Sequence, residues 1–248
     1  ISGEGVELGH SSGHVVAYNS ISRVADGISY PDRNVDIYGN DIFDVSDDGL
    51  EPDRGYANVR MWGNRITNAK NNALSFQPMR CGPWYFVRNL VIGKGAIFKF
   101  RVQDRFALVN NTFVRWGATG NRMHHILSSY SRNNLYISAD GTGTIWVAYD
   151  CRQPQFCLPN NYKPTWMTDV DYDGFDWGDS PQAFRWENNK RFPDLETFSE
   201  AVGIEQHGIR VRKEDIFDNW SVPAEPARVT PQHLPLKADG EAVDAGVV

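Results

Sequence analysis

The fold of this chain is decided by the stretch Val35-Asp36-Ile37-Tyr38-Gly39-Asn40-Asp41-Ile42. It returns 24 residues later as Val59-Arg60-Met61-Trp62-Gly63-Asn64-Arg65-Ile66. In both copies apolar residues alternate with other residues up to the asparagine, and another apolar residue follows two positions after it. Alternation with a period of two on both sides of one corner residue predicts two short strands joined by a tight corner.

The asparagine marks a repeat that extends well beyond these two copies. Separations of 21, 24, 25 and 22 residues divide the series Asn19, Asn40, Asn64, Asn89 and Asn111. A third apolar segment follows each of the first four corners, and these segments contain in turn Ile28, Leu50, Leu74 and Phe98. Three short strands in each repeat, with no helical segment between them, predict a solenoid of stacked parallel strands.

In such a solenoid, equivalent residues of successive coils lie about 4.8 Å apart and form ladders. Asparagine suits a corner because it tolerates the left-handed backbone and can hydrogen-bond to its copies in neighbouring coils. The asparagine series therefore predicts a structural ladder. The Leu-x-x-Leu-x-Leu spacing of leucine-rich repeats is absent, and so are the two-residue turns of hairpin-built folds.

Over residues 5–150 these coils resemble the right-handed parallel β-helix superfamily, which has the pectate-lyase-like fold. The closing segment 234–246 is similar to the Leu-x-Pro-Gly-Ser-Pro-Ala-Ile-Asp-Ala-Gly motif that ends many secreted bacterial β-helix proteins, although its Pro-Gly-Ser-Pro is altered. The resemblance implies an all-β, right-handed parallel β-helix. It does not choose an activity, because β-helices include lyases, hydrolases, epimerases, esterases, adhesins and tailspikes.

The repeat divides the chain into two parts of one domain. Residues 1–150 are predicted to form the β-helix coils, and residues 151–248 an irregular C-terminal wrap packed on them. A short helix is expected over 193–201, because Asp194 lies near its start and Gly203 stops it. No capping helix precedes the first coil, so we expect a missing N-terminal segment or a second chain to cover that end.

Composition excludes several classes of partner. There are 31 acidic and 25 basic residues, which argues against nucleic acid and against anionic membrane surfaces. No apolar run reaches membrane-spanning length, so no membrane insertion is expected.

Cys151 and Cys157 could pair in a proline-rich loop, which would leave Cys81 as an unpaired thiol. With the many aromatic residues, this favours a secreted or cell-surface location.

Stacking the third strand of each coil brings polar residues into two outward columns. The first contains Ser29, Glu51, Ser75, Lys99 and His124, and the second contains Asp53, Gln77 and Arg101. We predict an exposed ribbon of acids beside bases, on the face where β-helix enzymes commonly bind glycans. A register shift of one residue would turn Lys99 inward.

The ribbon suits two reactions on an extracellular polysaccharide, namely elimination by a lyase and cleavage by a hydrolase. The lyase reaction requires a polysaccharide that contains uronate. A lyase needs a base, for which Lys99 or Arg101 could serve, and a cation such as Ca²⁺ held by acids of the stretch 48–53. A hydrolase needs two carboxylates, which Asp48, Glu51 and Asp53 could supply. Residues 51 and 53 of one strand would lie about 6.6–7 Å apart, compatible with inversion of configuration.

Further residues complete the predicted site. His124 could carry a proton, and Ser75, Gln77 and Arg101 could bind substrate. The alternative is a non-catalytic surface or structural β-helix that binds glycans or assembles with other chains. In that case Asp47 and Asp48 are turn residues, and Lys99 pairs with Glu51 on the surface.

A second acidic segment resembles the start of a calcium loop. Asp169, Asp171 and Asp173 occupy positions 1, 3 and 5, and Gly174 occupies position 6. Position 12 is Ser180 rather than glutamate. The sequence predicts a Ca²⁺ ion at these three aspartates, with an ordinary acidic turn as the alternative.

Overall fold

A computed structural model describes residues 3–77, 81–94, 96–100, 105–116, 122–123, 129–144, 146–147, 168–186, 190–222 and 228–240. In this described part, no helix is long and apolar enough to cross a membrane. The first twelve strands are β1 Val6–Ser12, β2 Val15–Ala17, β3 Ser20–Ser22, β4 Ile28–Tyr38, β5 Asp41–Phe43, β6 Asp48–Glu51, β7 Ala57–Trp62, β8 Arg65–Thr67, β9 Asn72–Phe76, β10 Trp84–Val87, β11 Leu90–Gly93 and β12 Ala96–Phe100.

Eleven further strands follow in the described residues. They are β13 Phe106–Val109, β14 Thr112–Arg115, β15 Arg122–Met123, β16 Ser129–Arg132, β17 Leu135–Ser138, β18 Trp146–Val147, β19 Asp169–Val170, β20 Gly174–Asp176, β21 Phe184–Trp186, β22 Lys190–Phe192 and β23 Ile209–Arg210. The helices are α1 Leu195–Val202, α2 Lys213–Ile216 and a 3₁₀ turn at Pro231–His233.

The strands stack in parallel, one coil above the next, and confirm the predicted β-helix. The first-strand stack runs β2, the second half of β4, β7, β10, β13, β16 and β19. The second-strand stack runs β3, β5, β8, β11, β14, β17, β20 and β23. The third-strand stack runs β1, the first half of β4, β6, β9, β12 and β15. The long strand β4 joins the third stack to the first.

The register follows the sequence repeat. Val35 pairs with Val59 and Ile37 with Met61, so apolar residues of each coil lie on those of the next. Burial of these ladders removes apolar surface from water and supplies the main stabilising force. The fully buried ladder residues include Val35, Ile37, Leu50, Val59, Met61, Leu74, Trp84, Phe86 and Phe98.

The asparagines form the predicted ladder inside the stack. Asn64 Nδ2 donates to Asn89 Oδ1 at 3.0 Å, and Asn89 Nδ2 donates to Asn111 Oδ1 at 3.1 Å. The ladder continues through Asn134 and ends on Asp173, whose Oδ1 accepts from Asn134 Nδ2 at 2.9 Å. It therefore passes from the predicted coils into the segment expected to form the wrap.

The conformation of the corner differs from the prediction. The left-handed residue is the one before each ladder asparagine, for example Gly39 at φ 64° and Gly63 at φ 61°. The ladder positions Asn40, Asn64 and Asn89 do not have positive φ. The asparagine is needed for its side-chain amide, and the preceding residue makes the turn.

The C-terminal part adds β19, β20 and β23 to the stacks, beyond the predicted coils, and carries the expected short helix. In α1 the Asp194 carboxylate accepts from Thr197 N at 2.8 Å, and Gly203 ends the helix at φ 84°. Phe198 of α1 packs on Phe184 with ring centroids 5.0 Å apart. Farther on, the Arg228 guanidinium pairs with Asp41 of the second-strand stack, so the wrap returns to an early coil.

Two sequence features are placed only in part. Cys151 and Cys157 lie outside the described residues, and Cys81 is an exposed free thiol. Trp177 and Trp186 of the C-terminal part are buried, which indicates a packing role for both rings.

Candidate active site on the third-strand face

The third-strand stack gathers the central residues of the predicted ribbon. Ser29 lies opposite Glu51, and Lys99 lies opposite Ser75. Leu50 pairs with Leu74, which brings Glu51 next to Ser75. Glu51 and Lys99 therefore lie on the same ladder, on the two strands that flank Ser75 of β9.

One column is shifted relative to the prediction. Lys99 pairs with Arg122, and Phe100 pairs with Met123. The prediction placed His124 after Lys99 in this column. Arg122 follows Lys99 by 23 residues, within the 22 to 24 that separate the other members of the column, whereas His124 would have required 25. His124 and Arg101 lie outside the described residues.

The ribbon is partly buried, whereas the sequence predicted an exposed surface: its serines are buried, and Glu51, Asp53, Gln77 and Lys99 are half-buried. Ser29 and Ser75 are 0 % exposed, because neighbouring acids lie over them. Glu4 Oε2 accepts from Ser29 Oγ at 2.9 Å, and Asp53 Oδ1 accepts from Ser75 Oγ at 3.2 Å. The carboxylates thus form a layer over the strand hydroxyls.

Asp48 is the first residue of β6, whereas the non-catalytic alternative placed it in a turn. Its Oδ1 accepts from Asn72 Nδ2 at 2.6 Å and its Oδ2 accepts from Lys99 Nζ at 3.1 Å. Burial raises the pKa of the Asp48 carboxyl, although the bonds from Asn72 and the charge of Lys99 oppose that shift. Lys99 therefore pairs with Asp48, where the structural alternative expected a pair with Glu51.

Glu51 has the most perturbed carboxyl group of the ribbon. Burial, followed by the charges of Asp26 and Asp53, raises its pKa to about 8. Its Oε2 atom is buried and has no hydrogen-bond partner. Tyr30 donates a hydrogen bond to Glu51, and burial together with the Glu51 charge raises the pKa of Tyr30 to about 12. At neutral pH Glu51 is predominantly protonated.

Asp53 lies in a turn after β6 and not on the strand. The strand spacing that predicted about 6.6–7 Å between residues 51 and 53 therefore does not apply. Burial raises the pKa of Asp53 to about 6, against the opposing effects of Lys99, Ser75 and the backbone of Gln77. Gln77 Nε2 also donates to Ser75 Oγ at 3.1 Å.

Three groups of the site were not predicted, namely Glu4, Asp26 and Tyr30. Burial raises the pKa of Asp26 to about 7, and its Oδ1 accepts from Asp48 N at 2.7 Å. Glu4, Asp26 and Asp48 follow one another at intervals of 22 residues. The repeat period was therefore the signal that could have identified them.

The carboxyl groups around Glu51 and Asp48 outnumber the single ammonium group of Lys99. Carboxyl groups this close together cannot all be ionised unless their negative charge is compensated. Carboxylate oxygens of Glu4, Asp26 and Glu51 lie within 4.8 Å of one another. Those of Asp26, Asp47 and Asp48 form a second such group. Protons or a cation can supply the compensation.

The acidic segment 169–173 has other partners. Asp169 pairs with Arg132, and Asp171 Oδ2 lies 2.7 Å from His207 Nδ1. Asp173 is buried and accepts from Ser131 Oγ at 2.6 Å as it ends the asparagine ladder. Each of the three carboxylates is thus engaged by protein groups, and among the described residues none belongs to a cluster with metal-ligand spacing. The Ca²⁺ ion predicted there stays a prediction.

Comparison of the chain with protein-family models, with curated proteins and with solved structures gave no match in any of the three.

Proposed function

We propose that the chain hydrolyses an acidic polysaccharide at the third-strand face, with Glu51 and Asp53 as the acid–base pair. One observation carries the proposal. The environments of these two carboxyl groups raise their pKa values to about 8 and about 6, so that they differ in protonation at neutral pH. Pairs of carboxyl groups separated in this way are typical of glycoside hydrolysis.

The roles follow from the protonation states. Glu51, protonated at pH 7, donates its proton to the leaving glycosidic oxygen. Asp53, ionised at pH 7, takes a proton from the attacking water, whose oxygen forms the new bond to the anomeric carbon. Ser75 and Gln77 orient Asp53. The net change is cleavage of one glycosidic bond by one water molecule.

Lys99 serves as the positive group that attracts the substrate. Its ammonium lies 3.1 Å from Asp48 Oδ2, which fixes its position. A charged lysine is a poor base but a good partner for a uronate carboxylate. For that reason we propose an acidic glycan as the substrate, with Lys99 as its binding partner.

A lyase remains the second candidate, because the same carboxylates could remove a proton α to a uronate carboxylate while Lys99 neutralises it. The two reactions give different products. Elimination leaves an unsaturated sugar that absorbs ultraviolet light, whereas hydrolysis leaves only a new reducing end. Because polysaccharides of this kind are extracellular, the proposal includes a secreted or cell-surface location.

The activity is tested by incubating the protein with uronate-containing and neutral polysaccharides and measuring reducing ends and ultraviolet absorbance. We expect reducing ends from at least one uronate polymer and no absorbance. Lys99→Ala should raise KM for that polymer by about tenfold or more, since a charged contact is lost. Glu200→Gln, on the exposed face of α1, is the matched control and should behave as wild type. If wild type releases reducing ends from none of the polymers, the result favours the alternative of a non-catalytic surface protein.

The pH dependence of kcat/KM should be bell-shaped. Activity should rise as Asp53 loses its proton near its pKa of about 6 and fall as Glu51 loses its proton near its pKa of about 8. The maximum is therefore expected close to pH 7. Rates measured from pH 4 to pH 10 check this, and a rate that still increases above about pH 9 would exclude Glu51 as the acid.

Ca²⁺ is the cation we propose for the second carboxylate group, formed by Asp26, Asp47 and Asp48, because it prefers hard oxygen ligands. Bound Ca²⁺ would stabilise the folded state by mass action. Protons compete for the same oxygens, so the increase in Tm on adding Ca²⁺ should be larger at pH 8 than at pH 6. Asp26→Asn should reduce the increase, and Mg²⁺ serves as the control ion. Equal Tm values in Ca²⁺ and in chelator at both pH values would contradict this site.

A further inference from the structure

A groove lies on the outer face of the first-strand stack, away from the third-strand face. It is an open groove of about 400 Å³. The residues that line it come from β7 and β10 and their ends, and they are Asn58, Arg60, Trp62, Tyr85, Val87 and Arg88. None of them contributes to the carboxylate cluster.

The groove has an aromatic floor that is already held in place. The side chain of Trp62 is 44 % exposed, although a ring of this size is ordinarily well buried. Trp62 stacks on Tyr38 with ring centroids 4.2 Å apart and an angle of 6° between the planes. Tyr18 packs edge-on against Tyr38 at 5.3 Å. Binding to this platform would cost little side-chain entropy, because the stack already restricts the rings.

The groove also carries positive charge on a molecule whose net charge is −6. Two hydrogen bonds, of 2.5 and 2.7 Å, join the Arg60 guanidinium to Asp36 and fix its orientation. Arg88 is exposed, and within the described ranges it has no carboxylate partner. Arg88 therefore offers its planar donors to a carboxylate or sulfate in the groove.

We propose that this groove binds an acidic oligosaccharide, with Trp62 stacked on a sugar ring and Arg88 paired with its acidic group. A flat exposed ring beside fixed polar donors matches the apolar and hydroxyl-bearing faces of a sugar. The free guanidinium selects an anionic sugar over a neutral one. The inference does not rest on cleavage at Glu51, since the groove would hold a chain equally well on a protein without activity.

The test is isothermal titration with hexagalacturonate, and with maltohexaose as the neutral sugar of the same length. The titrations use wild type and a Glu51→Gln background, so that turnover does not contribute heat. Trp62→Ala is expected to weaken hexagalacturonate binding about tenfold, and Trp62→Phe to retain most of it. Tyr56→Ala, which removes another exposed ring outside the groove, is the control and should bind as wild type.

Arg88→Gln should weaken binding of hexagalacturonate and reduce its dependence on salt, whereas Arg88→Lys should keep the salt dependence. Maltohexaose should bind more weakly than hexagalacturonate to the wild type. The far-ultraviolet circular dichroism of each variant checks that the coils are intact.

Three results would overturn the proposal. The first is the absence of binding of hexagalacturonate to wild type, and the second is binding that both Trp62→Ala and Arg88→Gln leave unchanged. The third is a concentration-dependent dimer that Trp62→Ala dissociates, which would make this face a contact between two copies. Loss of hydrolysis in Glu51→Gln with unchanged binding would affect neither this inference nor its test, so the two proposals can fail separately.

Discussion

Replacing Glu51 with glutamine is expected to lower kcat for cleavage of the acidic polysaccharide by about 10²–10⁴-fold, the range typical of a lost general acid. Glutamine keeps the size and the polar character of the side chain but has no proton to donate. KM should change little, because the negative charge that would repel the substrate is absent in both the protonated acid and the amide. Initial rates of reducing-end formation provide the measurement.

Glu200→Gln supplies the matched control, since the same change on an exposed helix face removes one charge without touching the cluster. Asp53→Asn should also inactivate the protein, but through loss of the base. If Glu51→Gln keeps more than about half of the wild-type kcat, Glu51 is not the acid and the proposed mechanism is wrong.

The same substitution should make the protein more stable, and the sign follows from the pKa of Glu51. Folding raises this pKa from 4.5 to about 8, so the folded state holds a proton that the unfolded state has already released between these values. Stability therefore decreases as pH rises through that window, and above it the folded state contains a buried, poorly solvated carboxylate. Glutamine removes this penalty.

We expect Glu51→Gln and wild type to have similar Tm values at about pH 5 and the variant to melt about 2–4 °C higher at about pH 8. Asp26 and Asp53 should lower the stability of both proteins further, as pH rises from 3.8 to about 7 for Asp26 and from 3.8 to about 6 for Asp53. A variant that is less stable than wild type at both pH values would show that Glu51 is a structural group.

The second large effect is expected in the asparagine ladder. Asn64 is 2 % exposed, and its Oδ1 accepts from both the backbone N and the Nδ2 of Asn40, at 3.1 and 3.0 Å. Its Nδ2 donates to the carbonyl oxygen of Ile37 at 2.9 Å and to Asn89 Oδ1. Asn64→Ala would leave several buried polar groups without partners, and each such group costs about 1–3 kcal/mol.

We therefore expect Asn64→Ala to lower the free energy of unfolding by about 3–5 kcal/mol, measured by guanidinium denaturation. Asn71→Ala is the control, because exposed Asn71 makes a single bond of this kind, from its Nδ2 to Asp47 Oδ1 at 2.7 Å. Its replacement should cost less than about 1 kcal/mol. Equal costs at the two positions would mean that the ladder contributes no more than a surface contact.

The coils and the ladder could be predicted from the sequence, because equivalent positions of every repeat have the same physical requirement. Each coil needs an apolar residue at the position of Ile37 or Met61 and an amide at the position of Asn40 or Asn64. One exception does not hide such a pattern. The residue that bears the positive φ could not be found this way, because glycine, tyrosine, arginine and asparagine all occur there.

The candidate site was predictable only where it follows the repeat. Glu51, Ser75 and Lys99 share a face because their strands are in register. The burial of Ser75 depends on the turn that holds Asp53, and no strand period describes that turn. The pairing of Lys99 with Asp48 spans 51 residues, about two coils, and requires side-chain geometry that a sequence pattern lacks.

The ladder also has a direction, which gives the solenoid two unlike ends. Every amide from Asn19 to Asn134 donates towards the following coil, and the last acceptor is the carboxylate of Asp173. Beyond it lies Glu205, whose Oε2 accepts from Asp173 N at 3.2 Å, and burial together with the charge of Asp173 raises the pKa of Glu205 well above its usual range. A whole coil could therefore be duplicated between two asparagines without reversing any bond. The Asp173 side chain has no amide to donate, so the same duplication placed after Asp173 would keep the backbone bond of the ladder and lack its side-chain bond.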